Sequence, residues 1–428
     1  MPLVPIAPAS SATVREDATR TLQSQIDRAH LDGGGTVIVP PGLHTCGTLE
    51  LKSRVRLHLD HGARIEGSTD LDRYPLWVTP SVRCRTDANG FRSLLRADRA
   101  EHVALSGSGV IDGKGAAFPH GGDDRDGRPR LIQMIGCRDI LVEDLHLCDS
   151  GLWLQHYLGC ERLRLRGLTA YNHVQPNNDF VDIEGCRDVR ISDCSSDTDD
   201  DGITLKSGCA APTEDVVITH CVLRSHCNAI KLGTESNGGF RNIVVSNCVV
   251  APSRHPTHLH GFPEGICGVA LEIVDGGTLD GVLVSQLRID GPKVPLFIRL
   301  GDRARPYLAG QPRPPVGRVR NIRVSQIDAV SPSTYGCVLA GLPGHPLETI
   351  SLTDLRFEFP GGCQQRPDPA SVPEKAGDYP EATMFGESPA FGLFIRHAVG
   401  VRMERVDLVS RQPDTRPALV LDDALLAP

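Results

Sequence analysis

The chain alternates apolar and polar residues in short bursts, and the bursts share one phrase. CRDILVEDLHL, CERLRLRGLTA, CRDVRISDCSS, TEDVVITHCVL, FRNIVVSNCVV, LDGVLVSQLRI, VRNIRVSQIDA and LETISLTDLRF each set a polar pair before a period-two stretch. That is the pattern of a half-buried strand. Aligned on the first apolar residue of the strand, the phrases start at Ile140, Leu163, Val189, Val216, Ile243, Val282, Ile322 and Ile350, in steps of 23, 26, 27, 27, 39, 40 and 28 residues. A period in the twenties with a few longer steps predicts one coil per repeat, with insertions carried in the turns. Each coil then buries its apolar positions only against the coils above and below, which makes one continuous core. The expected architecture is all-β: a right-handed parallel β-helix, a solenoid forming a single domain over 1–428. A leucine-rich-repeat horseshoe needs a Leu-x-x-Leu-x-Leu signature that is absent, and a propeller needs antiparallel blades of about 40 or more residues.

Solenoid ends expose core and need caps. Asp17-Ala18-Thr19 opens an amphipathic stretch with Leu22, Ile26 and Ala29 on one face, stopped by Gly33-Gly34-Gly35. This predicts an N-terminal capping helix and turn over 17–35. Residues 360–389, rich in Pro, Gly and charge, read as a long loop over the cleft or over one end.

Composition supports many short strands joined by turns: aromatics are 4%, with 44 Gly and 32 Pro in 428 residues. A formal charge of −8 disfavours a nucleic-acid partner or an anionic membrane surface. No run approaches the ~20 apolar residues of a membrane span. The start, MPLVPIAPASSATVRED, lacks a basic n-region and its prolines interrupt any apolar h-region, so a cytoplasmic protein is expected if Met1 is the natural start and a secreted or periplasmic one otherwise. The 14 cysteines recur at matching places in the repeats, which suits small buried thiols better than disulfides. No CxxC pair suggests zinc.

Candidate chemistry gathers in the central coils. One coil of separation puts two residues on rungs about 4.8 Å apart. Asp179 in NNDFVD and Asp200 in DTDDDG are 21 residues apart, so Asp179 is expected beside Asp200 or Asp201. Three carboxylates this close cannot all ionise freely, and at least one should hold its proton. A protonated carboxyl beside ionised ones suits glycosidic cleavage, where the acid protonates the leaving oxygen and a carboxylate activates water. A calcium site and a solvated turn remain open on spacing alone.

DGGGTVIVPPGLHTCGTLELKS, LSGSGVIDGKG, NNDFVDIEGCRDVRISDC and DDGITLKSG together resemble the pectin-degrading glycoside hydrolases of the polygalacturonase family, family 28, from about Thr19 to Arg303. The resemblance implies a parallel β-helix, inverting hydrolysis, no cofactor or metal, and a pectic oligosaccharide or polysaccharide as substrate. Position by position it implies Asp200 as general acid and Asp179 and Asp201 as the carboxylates that hold and activate water. Asn177 and Lys206 fall on motif positions of the same cleft. Asp199 stands where the family has Gly and reads as a flanking residue.

Departures from the family pattern bear on specificity. Asn228, in HCNAIKLGTES, replaces the family's histidine, and Ala270-Leu271-Glu272 replaces an Arg-Ile-Lys segment that grips a galacturonate carboxylate. Losing both cations and gaining Glu272 should repel a carboxylate there, so a neutral sugar such as rhamnose fits better. KLGTESNGGFRNI and PLFIRLGDR resemble the branch of the family that acts on rhamnogalacturonan backbones. The expected reaction is exo cleavage of galacturonate–rhamnose bonds in rhamnogalacturonan. The alternatives are a homogalacturonan polygalacturonase, a calcium-dependent pectate-lyase-like β-helix and a non-catalytic carbohydrate-binding β-helix. Lys206, Lys231 and Arg299 are candidate cations for the remaining sugar acid, against a reading as solvated surface. Glu235 is either a hydroxyl ligand or part of a turn. Trp153 and His156 either stack on a sugar or pack as partly buried rings. His255, His258 and His260 have metal-like spacing but no evident Cys or carboxylate partner, so they read as cleft wall or loop. Asn172 and His173 are placed at the cleft rim.

Overall fold

The computed structural model describes residues 17–78, 81–85, 90–119 and 127–427; the N-terminal stretch read for a targeting signal lies outside them. The repeat phrases become one parallel ladder. The register runs Val103–Ile140–Leu163–Val189–Val216–Ile243–Val282–Ile322–Ile350–Val401, and every member is buried. The alignment of the eight phrases is therefore the rung-to-rung register, continued through Glu101–Gly107, Val55–Leu59 and Gly35–Val39 at one end and through Leu393–Gln412 and Leu419–Leu426 at the other.

The polar pair before each strand turns the corner of the coil. Asp139, Arg162, Asp188, Asp215, Asn242, Asn321 and Thr349 all have φ of 54–57°, and Gly281 takes the same place at 74°. This left-handed conformation is tolerated best by Gly, Asn and Asp, which explains why the corner is mostly Asp, Asn or Gly. A second series at Asp144, Gly167, Asp193, His220 and Asn247 bends the chain again past the strand.

Two more parallel ladders complete each coil. One runs through Val110–Asp112, His146–Cys148, Thr169–Asn172, Ser195–Thr198 and Val222–Ser225. The other runs through Arg130–Ile135, Gln155–Leu158, Val181–Glu184, Ile203–Lys206, Asn228–Leu232, Cys267–Ile273 and Val294–Leu300. On this third ladder Val181, Ile183, Ile203 and Leu205 belong to the core. The alternate residues Asp182, Glu184, Thr204 and Lys206 therefore face outward. The cysteines stack in the same way: Cys137, Cys160 and Cys186 on one corner, Cys194, Cys221 and Cys248 on another. All fourteen are free, thirteen buried and Cys148 half-buried.

The helix Thr19–Leu31 buries Leu22 and Ile26 over the first coil, with Ala29 packed at the margin. Gly34, at φ 128°, lets the chain pass Arg54, whose carbonyl would meet a Cβ at 2.7 Å. The two long steps of the repeat are insertions in turns, at 252–266 and 301–317. The 362–392 segment after the strand Leu347–Gly361 folds back onto the third ladder. Arg299 Nη2 donates to the carbonyls of Glu374 (2.6 Å) and Lys375 (3.2 Å), and Asp302 N donates to the Ala376 carbonyl. This segment acts as a flap. Among the described residues no helix is long and apolar enough to cross a membrane.

Candidate active site

Asp179 and Asp201 end the turns that enter the strands Val181–Glu184 and Ile203–Lys206, and the rungs are locked by Phe180 N donating to the Asp201 carbonyl at 3.0 Å. Asp179 and Asp201 are each 3% exposed, and Asp200 is half-buried. The neighbouring Asp200 and Asp201 live in different surroundings. Asp201 Oδ1 accepts from Asn228 N (3.0 Å) and Nδ2 (2.7 Å), and its Oδ2 accepts from Lys231 Nζ at 3.0 Å. Burial alone would raise its pKa, but the Lys231 and Lys206 charges and these hydrogen bonds outweigh it, so Asp201 sits below the carboxylate range. Asp200 accepts from Asp201 N (2.8 Å) and from Asn177 Nδ2 (3.3 Å). Burial, reinforced by the Asp201 charge, lifts it.

Asp179 is pushed well up by burial and by the charges of Asp182, Asp200 and Asp201. Asp182, wholly buried, is raised by burial to about 8 although Lys206 Nζ lies 3.5 Å away. Of these four aspartates Asp201 alone is lowered, while Asp179, Asp182 and Asp200 are all lifted. Asp182 adds a fourth carboxyl to the three aspartates expected there.

Both lysines are buried, contrary to the solvated-surface reading. Lys206 bridges Glu235 (3.3 Å) and Asp182 beneath the Trp153 ring at 4.9 Å. Lys231 bridges Asp201 and the Tyr379 hydroxyl (3.2 Å). In both, burial would lower the pKa, but the surrounding acids win and keep them charged. Glu235 is also held ionised: burial is outweighed by Lys206 and Arg305, whose Nη2 donates at 3.0 Å. Asn177, at φ 59°, accepts from Arg128 through Oδ1 (3.1 Å) while it donates to Asp200.

Several placements correct the sequence reading. Glu272 is 0% exposed, and burial drives its pKa far up; it is a neutral acid under Gly233 and cannot repel a substrate carboxylate. Arg299 spends its guanidinium on carbonyls of the flap and of Gly341 (3.2 Å), so it is an anchor for the loop and not a cation in the cleft. His156 is wholly buried between Gln133 (3.1 Å) and Glu184 (2.9 Å) and cannot stack on a sugar; Trp153, 8% exposed, packs over it. Asn172 is buried too, and its amide holds Ser150 N (2.9 Å) and the Asp179 carbonyl (3.4 Å). Asp199 flanks the site and also ties the 252–266 insertion to the coil, because it accepts from Leu259 N (2.8 Å) and His260 N (3.0 Å). His173, placed at the rim by sequence, is buried and contacts Asp197 at 3.0 Å.

Sequence reasoning missed Asp182, Arg305, Tyr379 and Glu381. Asp182 had a signal: it is three residues past Asp179 on the outward face of a strand whose inward residues are Val181 and Ile183. Tyr379 and Glu381 had none, because only the fold of the flap brings them to Lys231 and to Asn228, whose Nδ2 donates to Glu381 at 3.3 Å.

Comparison with known proteins bears on the family and the fold. A model of the family described as Glycosyl hydrolases family 28 matches residues 34–259, slightly over half the chain. A protein of Vitis vinifera named a probable polygalacturonase is 30% identical over 257 residues, covering 56% of this chain and 52% of that protein. The chain spans about half the length of the curated relatives it matches. Among solved structures, a hyperthermoactive exopolygalacturonase from Thermotoga maritima has a TM-score of 0.67 at 22% identity, covering 91% of this chain and 88% of that one. The family 28 exopolygalacturonase of Yersinia enterocolitica has a TM-score of 0.73 at 15% identity, covering 96% and 75%. At these identities the structural likeness carries the fold.

Proposed function

The chain belongs to glycosyl hydrolase family 28, and we propose that it hydrolyses α-galacturonosyl linkages of pectic oligosaccharides with inversion, acting from one chain end. The observation that carries this reading is the opposed surroundings of adjacent carboxyls: Asp200 is lifted by burial and the Asp201 charge, and Asp201 is held down by Lys231 and Asn228. Asp200 gives its proton to the glycosidic oxygen as the bond to the anomeric carbon breaks. Asp201, with Asp179 beside it, takes a proton from the water that attacks the opposite face. Atoms balance as one water consumed per bond, with both aspartates exchanging their protons back through solvent.

Exo action is supported by the flap, since Tyr379 and Glu381 close over Lys231 and Asn228 next to Asp201. A neutral sugar on this side, as in a galacturonate–rhamnose bond, is supported by the state of the local charges. Lys231 is already paired with Asp201, and Glu381 is pushed up by burial. This argument replaces the one built on Glu272. A second reading, action on homogalacturonan, is favoured by the name of the Vitis relative.

Incubation with defined rhamnogalacturonan and homogalacturonan oligosaccharides, read by product mass and by the anomer released in the first minutes, tests all of this. Expected are saturated products of inverted configuration, shortened by one terminal unit, from the rhamnose-containing series. Retained configuration or an unsaturated product overturns the mechanism; cleavage of homogalacturonan alone overturns the substrate but not the chemistry.

A further inference from the structure

Beside the carboxylate cleft, a group of imidazoles comes together that the proposed hydrolysis does not use. His173 follows the strand Thr169–Asn172, His226 lies one coil further between Val222–Ser225 and Asn228–Leu232, and His255 and His258 come from the 252–266 insertion. Ring centroids are 5.1 Å apart for His173 and His226, 5.7 Å for His226 and His258, and 4.4 Å for His173 and His255. One nitrogen of His173, one of His226 and a carboxylate oxygen of Asp199 lie mutually within 4.8 Å.

The hydrogen bonds set the tautomers. His173 Nε2 faces Asp197 Oδ1 at 3.0 Å, and His226 Nδ1 faces Asp199 Oδ1 at 3.2 Å. Both carboxylates also accept backbone N–H groups of the insertion. An ionised carboxylate only accepts, so the proton of each ring sits on the nitrogen that faces it. This leaves His173 Nδ1 and His226 Nε2 as bare lone pairs. Both are buried without a hydrogen-bond partner among the described residues, in rings that are 7% and 0% exposed. A buried nitrogen left so is costly unless something occupies it. A histidine oriented by a carboxylate on one nitrogen and free on the other is the usual form of a metal ligand.

We propose that His173 and His226 form a binding site for a divalent transition-metal ion of the Zn²⁺ class, and that His258, whose ring lies 5.7 Å from that of His226, turns in from the insertion as a further ligand. The spacing fits: with Zn–N bonds of about 2.0–2.1 Å, two imidazoles on a tetrahedral ion hold their centroids roughly 5 Å apart. His255 is not a ligand of the same ion. Its ring is parallel to that of His173 within 8° and stacked on it, and two rings meeting at one ion in their own planes cannot also be stacked face to face. Imidazole donors select Zn²⁺, Cu²⁺ or Ni²⁺ over Mg²⁺ or Ca²⁺. Two ligands come from the solenoid and one from the insertion, so the ion would fasten the insertion beside Asp199 and Asp200.

The test uses the tag-free full chain, stripped with a chelator, with Zn²⁺ alone as the probe. Titration calorimetry and metal analysis after gel filtration are expected to give one Zn²⁺ per chain, and Co²⁺ substitution to give the visible bands of a tetrahedral site. His226→Asn should abolish binding. His258→Ala, an exposed position that leaves the fold intact, should weaken it by about 10–100-fold, while Asp200→Asn leaves it unchanged. Zn²⁺ should raise the melting temperature of the parent and not of His226→Asn. Absence of stoichiometric binding overturns the site, as does binding that survives both histidine substitutions or is lost in Asp200→Asn alone.

Discussion

Replacing Lys231 by Gln tests the electrostatic core of the proposed mechanism. Its ammonium lies 3.0 Å from Asp201 Oδ2 with both groups buried. At an effective dielectric of about 20 the pair attraction is about 5 kcal/mol, a ceiling equivalent to roughly 4 pH units. A nearby opposite charge in a protein typically moves a carboxylate by about 1–3 units. Burial already pushes Asp201 up, and Lys231 is the largest single influence holding it down, so removing it should reverse the sign of the shift. Asp201 then competes with Asp200 for the same proton, while Asp200 loses both part of the Asp201 charge that raised it and the Lys231 charge that lowered it. In kcat/KM against pH, the acid limb should move up by about 1–3 units and the optimum should narrow. At mildly acidic pH the rate should drop by about 10²–10³-fold, the size of a lost general base. Lys231→Arg should restore part of both. Initial rates on a defined oligosaccharide between acid and alkaline pH give the profile, with circular dichroism as the fold control. An acid limb that stays in place in the Gln variant refutes the assignment of Lys231 as the group that keeps Asp201 ionised.

Three other expectations follow from named contacts. Asp182, raised to about 8 by burial, binds its proton more tightly folded than unfolded; its contribution to stability is whole below about pH 4 and is lost as pH rises toward 8. Asp182→Asn should flatten the fall of melting temperature over that window, read by scanning fluorimetry. Arg299→Met removes two guanidinium–carbonyl bonds that fix the flap, to Glu374 and Lys375, and the bond to the Gly341 carbonyl that holds the guanidinium in place. Trypsin should then cut after Lys375, which Ala376 follows, at least tenfold faster, with little change in global urea unfolding. Asp199→Ala strips the insertion of two charge-assisted hydrogen bonds and should cost about 2–4 kcal/mol in a urea melt.

How much of this was legible depended on whether a feature is periodic. Register was legible because each coil repeats the same burial problem, so Ile140, Leu163, Val189 and their successors pair rung to rung as the phrases align. The corners were legible in hindsight too: the polar pair is Asp, Asn or Gly because its second member is left-handed. Features made by breaks in the period were not legible. The 252–266 insertion and the flap return to the solenoid through contacts such as Arg299 with Glu374 and Asn228 with Glu381, which no spacing encodes. Lys206 stood out through its place in the family motif; Asp182, on the same outward face between Val181 and Ile183, carries only the period-two signal of its strand.

The run Asp199-Asp200-Asp201 shows why chemistry at a single residue resists reading from the chain alone. All three share one local sequence, yet each carboxylate points to different partners. Asp199 turns to His226 and the insertion, Asp200 to Asn177 on the preceding coil, and Asp201 to Asn228 and Lys231 on the following one. Protonation follows partners and burial, not adjacency. Asp199 is lowered by groups 27 to 61 residues away and Asp201 by Lys231, 30 residues on, together with Lys206, while Asp200, between them, is raised by burial and by the Asp201 charge. A β-helix suits this division of labour, because consecutive residues at the mouth of a strand can each be read by a different coil.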